Sequence, residues 1–242
     1  MALQAVIFDV DGTLADTERN GHRLAFNDAF AKHGLDIVWT PEVYGRLLAI
    51  AGGRRRITHD LRQRGFGTRA GRLAEDVHRT KTALFTMRVL NGAICGRPGL
   101  SKLITDLHTS GVRVGIATTG RKRWVEPLVR HVVGDGVAEV IVTGDDVDRL
   151  KPDPEAYLTA LDRLGLPAED VLAVEDSSIG LRAARGAGLA TLVVTNGYTV
   201  DQDFTGAAAV RTGFDQPGQL LAQGCREVHG QWWAARVGGR RQ

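Results

Sequence analysis

Five short apolar runs recur along the chain, and most stop where polar residues begin. They are Ala5-Val6-Ile7-Phe8, Val112 to Ala117, Val137 to Val142, Val171 to Val174 and Thr191 to Val194. Continuous runs of this length fit strands buried on both faces rather than strands with one wet side. Helix-period segments lie between them. Leu100, Leu103, Ile104 and Leu107 form one apolar face, and Ala156, Leu158, Leu161 and Leu164 form another after the start signal Pro152-Asp153-Pro154. Strand and helix alternating over short linkers give a parallel sheet with right-handed crossovers and helices on both faces. The expected fold class is therefore α/β, a doubly wound, Rossmann-like parallel sheet.

The alternation stops between Asp16 and about Gly92. His22, Phe26, Phe30 and His33 share a helical face there, Thr40-Pro41 starts a second helix with Val43, Leu47 and Leu48, and Leu73, Val77, Leu84 and Phe85 mark a third. An insertion of this size is too long for a loop and reads as a second domain. The expected organisation is a catalytic core at 1–15 and 93–225, a helical cap domain at 16–92, and a C-terminal tail at 226–242, where the pattern fails around Trp232-Trp233.

Composition narrows the possible functions. Of 242 residues, 43% are hydrophobic, enough for a sizeable core and against wholesale disorder. The 31 basic and 28 acidic residues nearly balance at +3. The arginines are scattered except for Arg54-Arg55-Arg56 and a tail with Arg236, Arg240 and Arg241, so no stripe calls for a nucleic acid partner. Cys95 and Cys225 lack metal-ligand spacing and fit a reduced interior. No apolar stretch approaches the roughly 20 residues of a membrane helix. The first motif starts within a few residues of Met1, leaving no room for a leader, so the expectation is a cytoplasmic monomer with no membrane contact.

Open parallel sheets bind ligands beyond the carboxyl ends of their strands. Asp9 and Asp11 follow the first strand, Thr118 and Thr119 the second and Glu175-Asp176 the fourth, with Lys151 in the loop after the third. Gathered carboxylates repel one another and need a cation, whereas a lysine and a hydroxyl donate to an anion. Hard oxygen ligands without Cys or His favour Mg²⁺, which also takes phosphate oxygens. Asp9 and Asp11, two apart on an extended segment, reach the same side. Asp9 is placed to attack phosphorus, and Asp11 to hand a proton to the leaving alcohol and later take one from water. An isolated Asp-x-Asp is more often a turn or a cap, and Ser177 suits the cap of the following helix. Arg97-Pro98-Gly99 reads as the structural start of a core helix.

Asp9-Val10-Asp11-Gly12-Thr13, Thr118, Lys151-Pro152 and Glu175-Asp176 together resemble the four ordered motifs of the haloacid dehalogenase superfamily of phosphohydrolases. The inserted helices resemble the cap of its beta-phosphoglucomutase-like branch. The resemblance implies Asp9 as an aspartyl-phosphate nucleophile and Asp11 as acid/base. It also implies Asp9, the Asp11 carbonyl, Glu175 and Asp176 around Mg²⁺, with Thr118 and Lys151 on the phosphoryl oxygens.

Within the insertion, Ala15-Asp16-Thr17-Glu18, His22-Arg23, Gly52-Gly53-Arg54-Arg55-Arg56-Ile57 and His78-Arg79-Thr80-Lys81 resemble the CbbY-like group, which includes xylulose-1,5-bisphosphate phosphatases. The chain departs from that group at Arg54 and Arg55, where a lysine and a glutamate are usual. His78 and Lys81, three apart on a helix, share a face and with Arg54 to Arg56 suit a distal phosphate. The expected substrate is thus a small phosphorylated sugar, with Glu18, His22, Arg56, His78, Lys81 and Thr119 as substrate-binding candidates. A sugar phosphomutase using the same residues is the alternative.

Overall fold

A computed structural model describes residues 2–50 and 52–238, and divides into two compact units, Met1–Asp16 with Cys95–Gln242, and Thr17–Ile94. In chain order the first unit begins with β1 (Ala5–Phe8). The second holds α1 (Arg23–Lys32), α2 (Pro41–Leu47), α3 (Gly53–Gln63) and α4 (Ala70–Leu90). The first unit resumes with α5 (Leu100–Thr109), β2 (Arg113–Ala117), α6 (Lys122–Val132), β3 (Ala138–Val142), α7 (Glu155–Leu164), β4 (Val171–Glu175), α8 (Ser178–Gly186), β5 (Ala190–Val194), β6 (Ala209–Arg211) and α9 (Ala222–Gly238).

The six strands pair in the order β3-β2-β1-β4-β5-β6, and every pairing is parallel. Ile7 sits between Gly115 of β2 and Ala173 of β4. The chain builds outward from β1 to β3 and then crosses to β4 on the other side. The carboxyl end of β1 is therefore the switch point where a crevice opens. Side chains alternate across the sheet: Ala5 and Ile7 join Tyr157, Ala160, Leu161 and Leu164 of α7 and Ala183 and Ala184 of α8 in one core layer. The helices α5 and α9 cover the other face, where Phe8 meets Phe214 edge to face.

In the first unit three elements depart from the sequence expectation. The strand β6 was not expected; it has three residues at the sheet edge and is only partly buried, so it carries no apolar run. Helix α6 was masked by its charged start and by Pro127 in its interior, although Trp124, Val125, Leu128 and Val129 are buried along one face. The segment expected as a tail from residue 226 belongs to α9 up to Gly238. Its anchors are small or polar and so escape a hydrophobic-period reading: Cys225 is buried, His229 Nε2 lies 2.9 Å from the Glu169 carbonyl, and Arg226 donates to the Ser110 carbonyl. Burial pushes the Cys225 thiol up to about 12. Arg236 stacks on Trp232 at 3.9 Å, while Arg240 and Arg241 lie outside the described residues.

The second unit is helical, as its pattern implies. Phe26, Phe30, Trp39 and Tyr44 form its aromatic centre, and Trp39 Nε1 donates to Asp60 Oδ2 at 2.9 Å. Thr40 caps α2 by accepting the Val43 N–H, with Pro41 at the first helical position. Helix α3 was missed because Ile57 and Leu61 are its only buried side chains.

Asp106 accepts the Ala222 N–H at 2.7 Å, placing a carboxylate at the start of α9. Asp106→Ala is expected to destabilise the protein by about 1 kcal/mol, the worth of a helix cap, read from the urea midpoint. An unchanged midpoint contradicts this docking of α9.

Candidate active site

Three of the four core motifs sit where a strand ends, and the fourth, Lys151-Pro152, lies in the loop between β3 and α7. Asp9 follows β1, its N–H bonded to the Val174 carbonyl at 3.0 Å, and is 6% exposed. The chain then turns through Gly12, whose φ of 82° favours glycine; a Cβ there would lie 2.2 Å from Asp176 Oδ2. Asp11 is half-buried in this turn. Thr118 follows β2 and is fully buried, with its hydroxyl oxygen accepting the Gly120 N–H at 3.1 Å, while Thr119 is half-buried. Glu175 ends β4 and Asp176 follows it, and Ser177 caps α8 by accepting the Gly180 N–H.

Lys151 ties these ends together. Its ammonium donates to Asp9 Oδ1 at 2.7 Å, to Glu175 Oε1 at 2.6 Å and to the Ala117 carbonyl at 2.8 Å. Asp9, Glu175 and Asp176 each offer an oxygen within 4.8 Å of the others. Asp11 brings no side-chain oxygen to that group; its expected contribution is a main-chain carbonyl.

The electrostatics follow from burying like charges. Desolvation pushes the Asp9 carboxyl above its ordinary value against the pull of Lys151, and it raises Glu175 to about 7. Asp176 is raised well above the carboxylate range, first by burial and then by the charges of Asp9 and Glu175. Burial alone would lower Lys151, but Asp9 and Glu175 overturn that and hold the ammonium charged. Three buried carboxylates thus face one ammonium, an imbalance that a divalent cation would offset. The donors are all hard oxygens, which fits Mg²⁺.

Further side chains complete the site. The Tyr157 hydroxyl, fully buried, donates to Glu175 Oε1 at 2.7 Å; on the apolar face of α7 it reads in sequence as ordinary core. Asn196 Nδ2 donates to Asp176 Oδ2 at 2.6 Å, and applying the strand-end rule to β5 finds it. Gly180 packs so tightly that a Cβ would lie 1.9 Å from Glu175 Oε2. Arg97 does precede α5, whose cap is Gly99, and it also binds the carbonyls of Gly12, Val194 and Thr195.

The second unit brings its own candidates together. Lys81, 7% exposed, lies over the rings of Phe26 and Phe85 and reaches His22 Nδ1 at 2.8 Å. Burial, followed by the Lys81 charge, lowers His22 to about 3, so the neutral ring accepts from the ammonium. Arg56 donates to Tyr44 Oη at 3.3 Å and to the Ile50 carbonyl, and the Tyr44 hydroxyl donates to Glu18 Oε2 at 2.5 Å. His78 is lowered by burial and by Lys81, Arg54 and Arg56 nearby. Arg54 and Arg55 are exposed and line a groove of about 510 Å³ with Thr58, His59 and Arg62, whereas Arg56 turns inward.

The family model described as "haloacid dehalogenase-like hydrolase" matches residues 3–188, and the chain belongs to that family. It is an enzyme of the hydrolase class. Protein CbbY of Cereibacter sphaeroides is 42% identical over 221 residues, covering 90% of this chain and 95% of its own. A CbbY variant from Rhodobacter sphaeroides, solved in complex with xylulose-(1,5)bisphosphate, is 40% identical with a TM-score of 0.77 and covers 92% of this chain and 99% of its own. An N-acetylmuramic acid 6-phosphate phosphatase of Pseudomonas aeruginosa is 29% identical, covering 91% of this chain and 94% of its own. No helix among the described residues is long and apolar enough to cross a membrane.

The depressed His22 value gives a pH prediction. An unfolded chain protonates His22 near 6.5 and the folded chain only near 3, so stability from this residue is present above 6.5 and is lost as pH falls toward 3. His22→Gln is expected to flatten the decline of the thermal midpoint between pH 6.5 and pH 4. A slope equal to that of the unaltered protein contradicts a buried neutral imidazole.

Proposed function

We propose that this protein is a Mg²⁺-dependent phosphatase of small phosphorylated sugars, with a sugar bisphosphate such as xylulose 1,5-bisphosphate as substrate, acting through a phosphoaspartate on Asp9. The observation that carries this reading is the convergence of Asp9, Lys151, Glu175 and Asp176 at the switch point of the sheet. The likeness to CbbY, one structure of which holds xylulose-(1,5)bisphosphate, supports the substrate class.

In this mechanism an Asp9 oxygen attacks phosphorus, and the bond from phosphorus to the sugar oxygen breaks. Asp11 supplies the proton that the leaving alkoxide takes. Asp11 then removes a proton from water, whose oxygen attacks the acyl phosphate and releases inorganic phosphate with Asp9 regenerated. Lys151, already beside Asp9, neutralises charge on the phosphoryl oxygens, and the Thr118 hydroxyl, whose oxygen accepts from Gly120, keeps its proton to donate to them. Asp9, Glu175, Asp176 and the Asp11 carbonyl would hold Mg²⁺, which when bound offsets the repulsion between carboxylates and phosphate. Thr119 and the cap residues Glu18, His22, Arg56, His78 and Lys81 are assigned to the sugar and its second phosphate. Arg56 supplies a planar donor set suited to phosphate, and Glu18 an acceptor suited to hydroxyls.

Phosphate release from a panel of sugar mono- and bisphosphates tests the proposal. Turnover is expected to need Mg²⁺, to stop with a chelator, to vanish in Asp9→Asn and to fall about 10² to 10⁴-fold in Asp11→Asn. Protein that releases no phosphate from any sugar or aryl phosphate with Mg²⁺ present contradicts it. Conversion of a hexose 1-phosphate into the 6-phosphate would instead mark a phosphomutase.

A further inference from the structure

Arg97 and Asn196 lie outside the four motifs, yet both hold the turn after β1. The order β1-β4-β5 leaves one strand between the carboxyl ends of β1 and β5, a gap of about 10 Å at the usual strand spacing. Arg97 spans it. One terminal nitrogen donates to the carbonyls of Gly12 and Val194, both at 2.8 Å, and the other donates to the Thr195 carbonyl at 2.6 Å. The guanidinium lies 5.7 Å from the centre of the Phe214 ring, and its charge acts on Asp176.

Asn196 completes the bridge from the β5 side. Its Nδ2 donates to Asp176 Oδ2 at 2.6 Å and more weakly to the Gly12 carbonyl at 3.4 Å. The orientation of the amide is set by its other end, because Oδ1 accepts the Tyr198 N–H at 2.8 Å. Turning the amide over would put an oxygen against a carboxylate and leave that N–H facing a donor. Gly12, Asp176, Asn196 and Arg97 therefore form a linked set of hydrogen bonds around the end of β4. Asp176 is the carboxylate of the three that Lys151 does not hold directly, since the ammonium pairs with Asp9 and Glu175. Repulsion from those two would turn Asp176 away, and Asn196 is the group that holds it in place.

We propose that Arg97 and Asn196 are positioning residues, which fix the Asp176 carboxylate and the Asp11–Gly12 turn in the arrangement that a divalent cation requires. The proposal rests on the reading of this cluster as a Mg²⁺ site. Groups that orient metal-binding side chains typically change affinity 10 to 100-fold when removed.

Calorimetric titration with Mg²⁺ in the absence of any sugar phosphate tests it, alongside thermal unfolding in a chelator. Asn196→Ala is expected to weaken Mg²⁺ binding about tenfold while the midpoint in chelator moves by only a few degrees. Arg97→Lys, which keeps the charge but lacks the fork, is expected to weaken binding as well and serves if the first variant does not fold. Mg²⁺ affinity that stays unchanged in a folded variant, with or without a lowered midpoint, overturns the proposal and leaves the functional reading standing. An unaltered protein that binds no Mg²⁺ overturns both.

Discussion

The arrangement depends on an unbalanced charge. Three carboxylates and one ammonium are buried at the end of a parallel sheet, and burial raises the cost of every unpaired charge among them. The pair of contacts from Lys151 neutralises part of the cluster, the Tyr157 and Asn196 donors hold two of the carboxylates without adding charge, and Arg97, whose charge acts on Asp176, gives its hydrogen bonds to main-chain carbonyls. A group of this kind is costly to fold around, which is why buried acids with raised pKa values so often mark chemistry. The carboxylates also pack too closely for side chains at Gly12 and Gly180, where a Cβ would collide with Asp176 and Glu175.

The sheet makes this crowding possible. Because β1 sits between β2 and β4, the loops after all three strands reach one crevice, and the residue-by-residue register holds them level. The same topology places Lys151, which arrives from the loop after β3, within reach of two strand ends at once. Arg97 and Asn196 extend the connection across β4 to β5 through main-chain carbonyls, so the turn at Gly12 is held from both sides.

Much of this was legible in the residues because the rule that creates the site also marks it. A strand buried on both faces must be a continuous apolar run, so Asp9, Thr118 and Glu175-Asp176 stand out as the first polar residues after such runs. Of the five expected strands, β1, β2, β4 and β5 are buried almost throughout and are legible for that reason, and the edge strand β3 is marked by Val140-Ile141-Val142 despite its exposed Glu139, whereas β6, short and half-exposed at the other edge, left no run to find. Tyr157 was hidden because its ring packs as a core residue and only its hydroxyl reaches the site. Asn196 obeys the strand-end rule but belongs to none of the four motifs, so only its place just after β5 marks it. In the helical unit, periodicity located α1, α2 and α4, but the contact of Lys81 with His22 joins residues 59 apart and has no local signature.

Anomalous scattering from crystals soaked in Mn²⁺, a scattering substitute for Mg²⁺, tests the central claim directly. A single strong peak within coordination distance of Asp9 and Asp176 is the expected result. A crystal with its only peaks elsewhere, or with Lys151 still seated between Asp9 and Glu175 and no ion beside them at saturating Mn²⁺, would contradict the account.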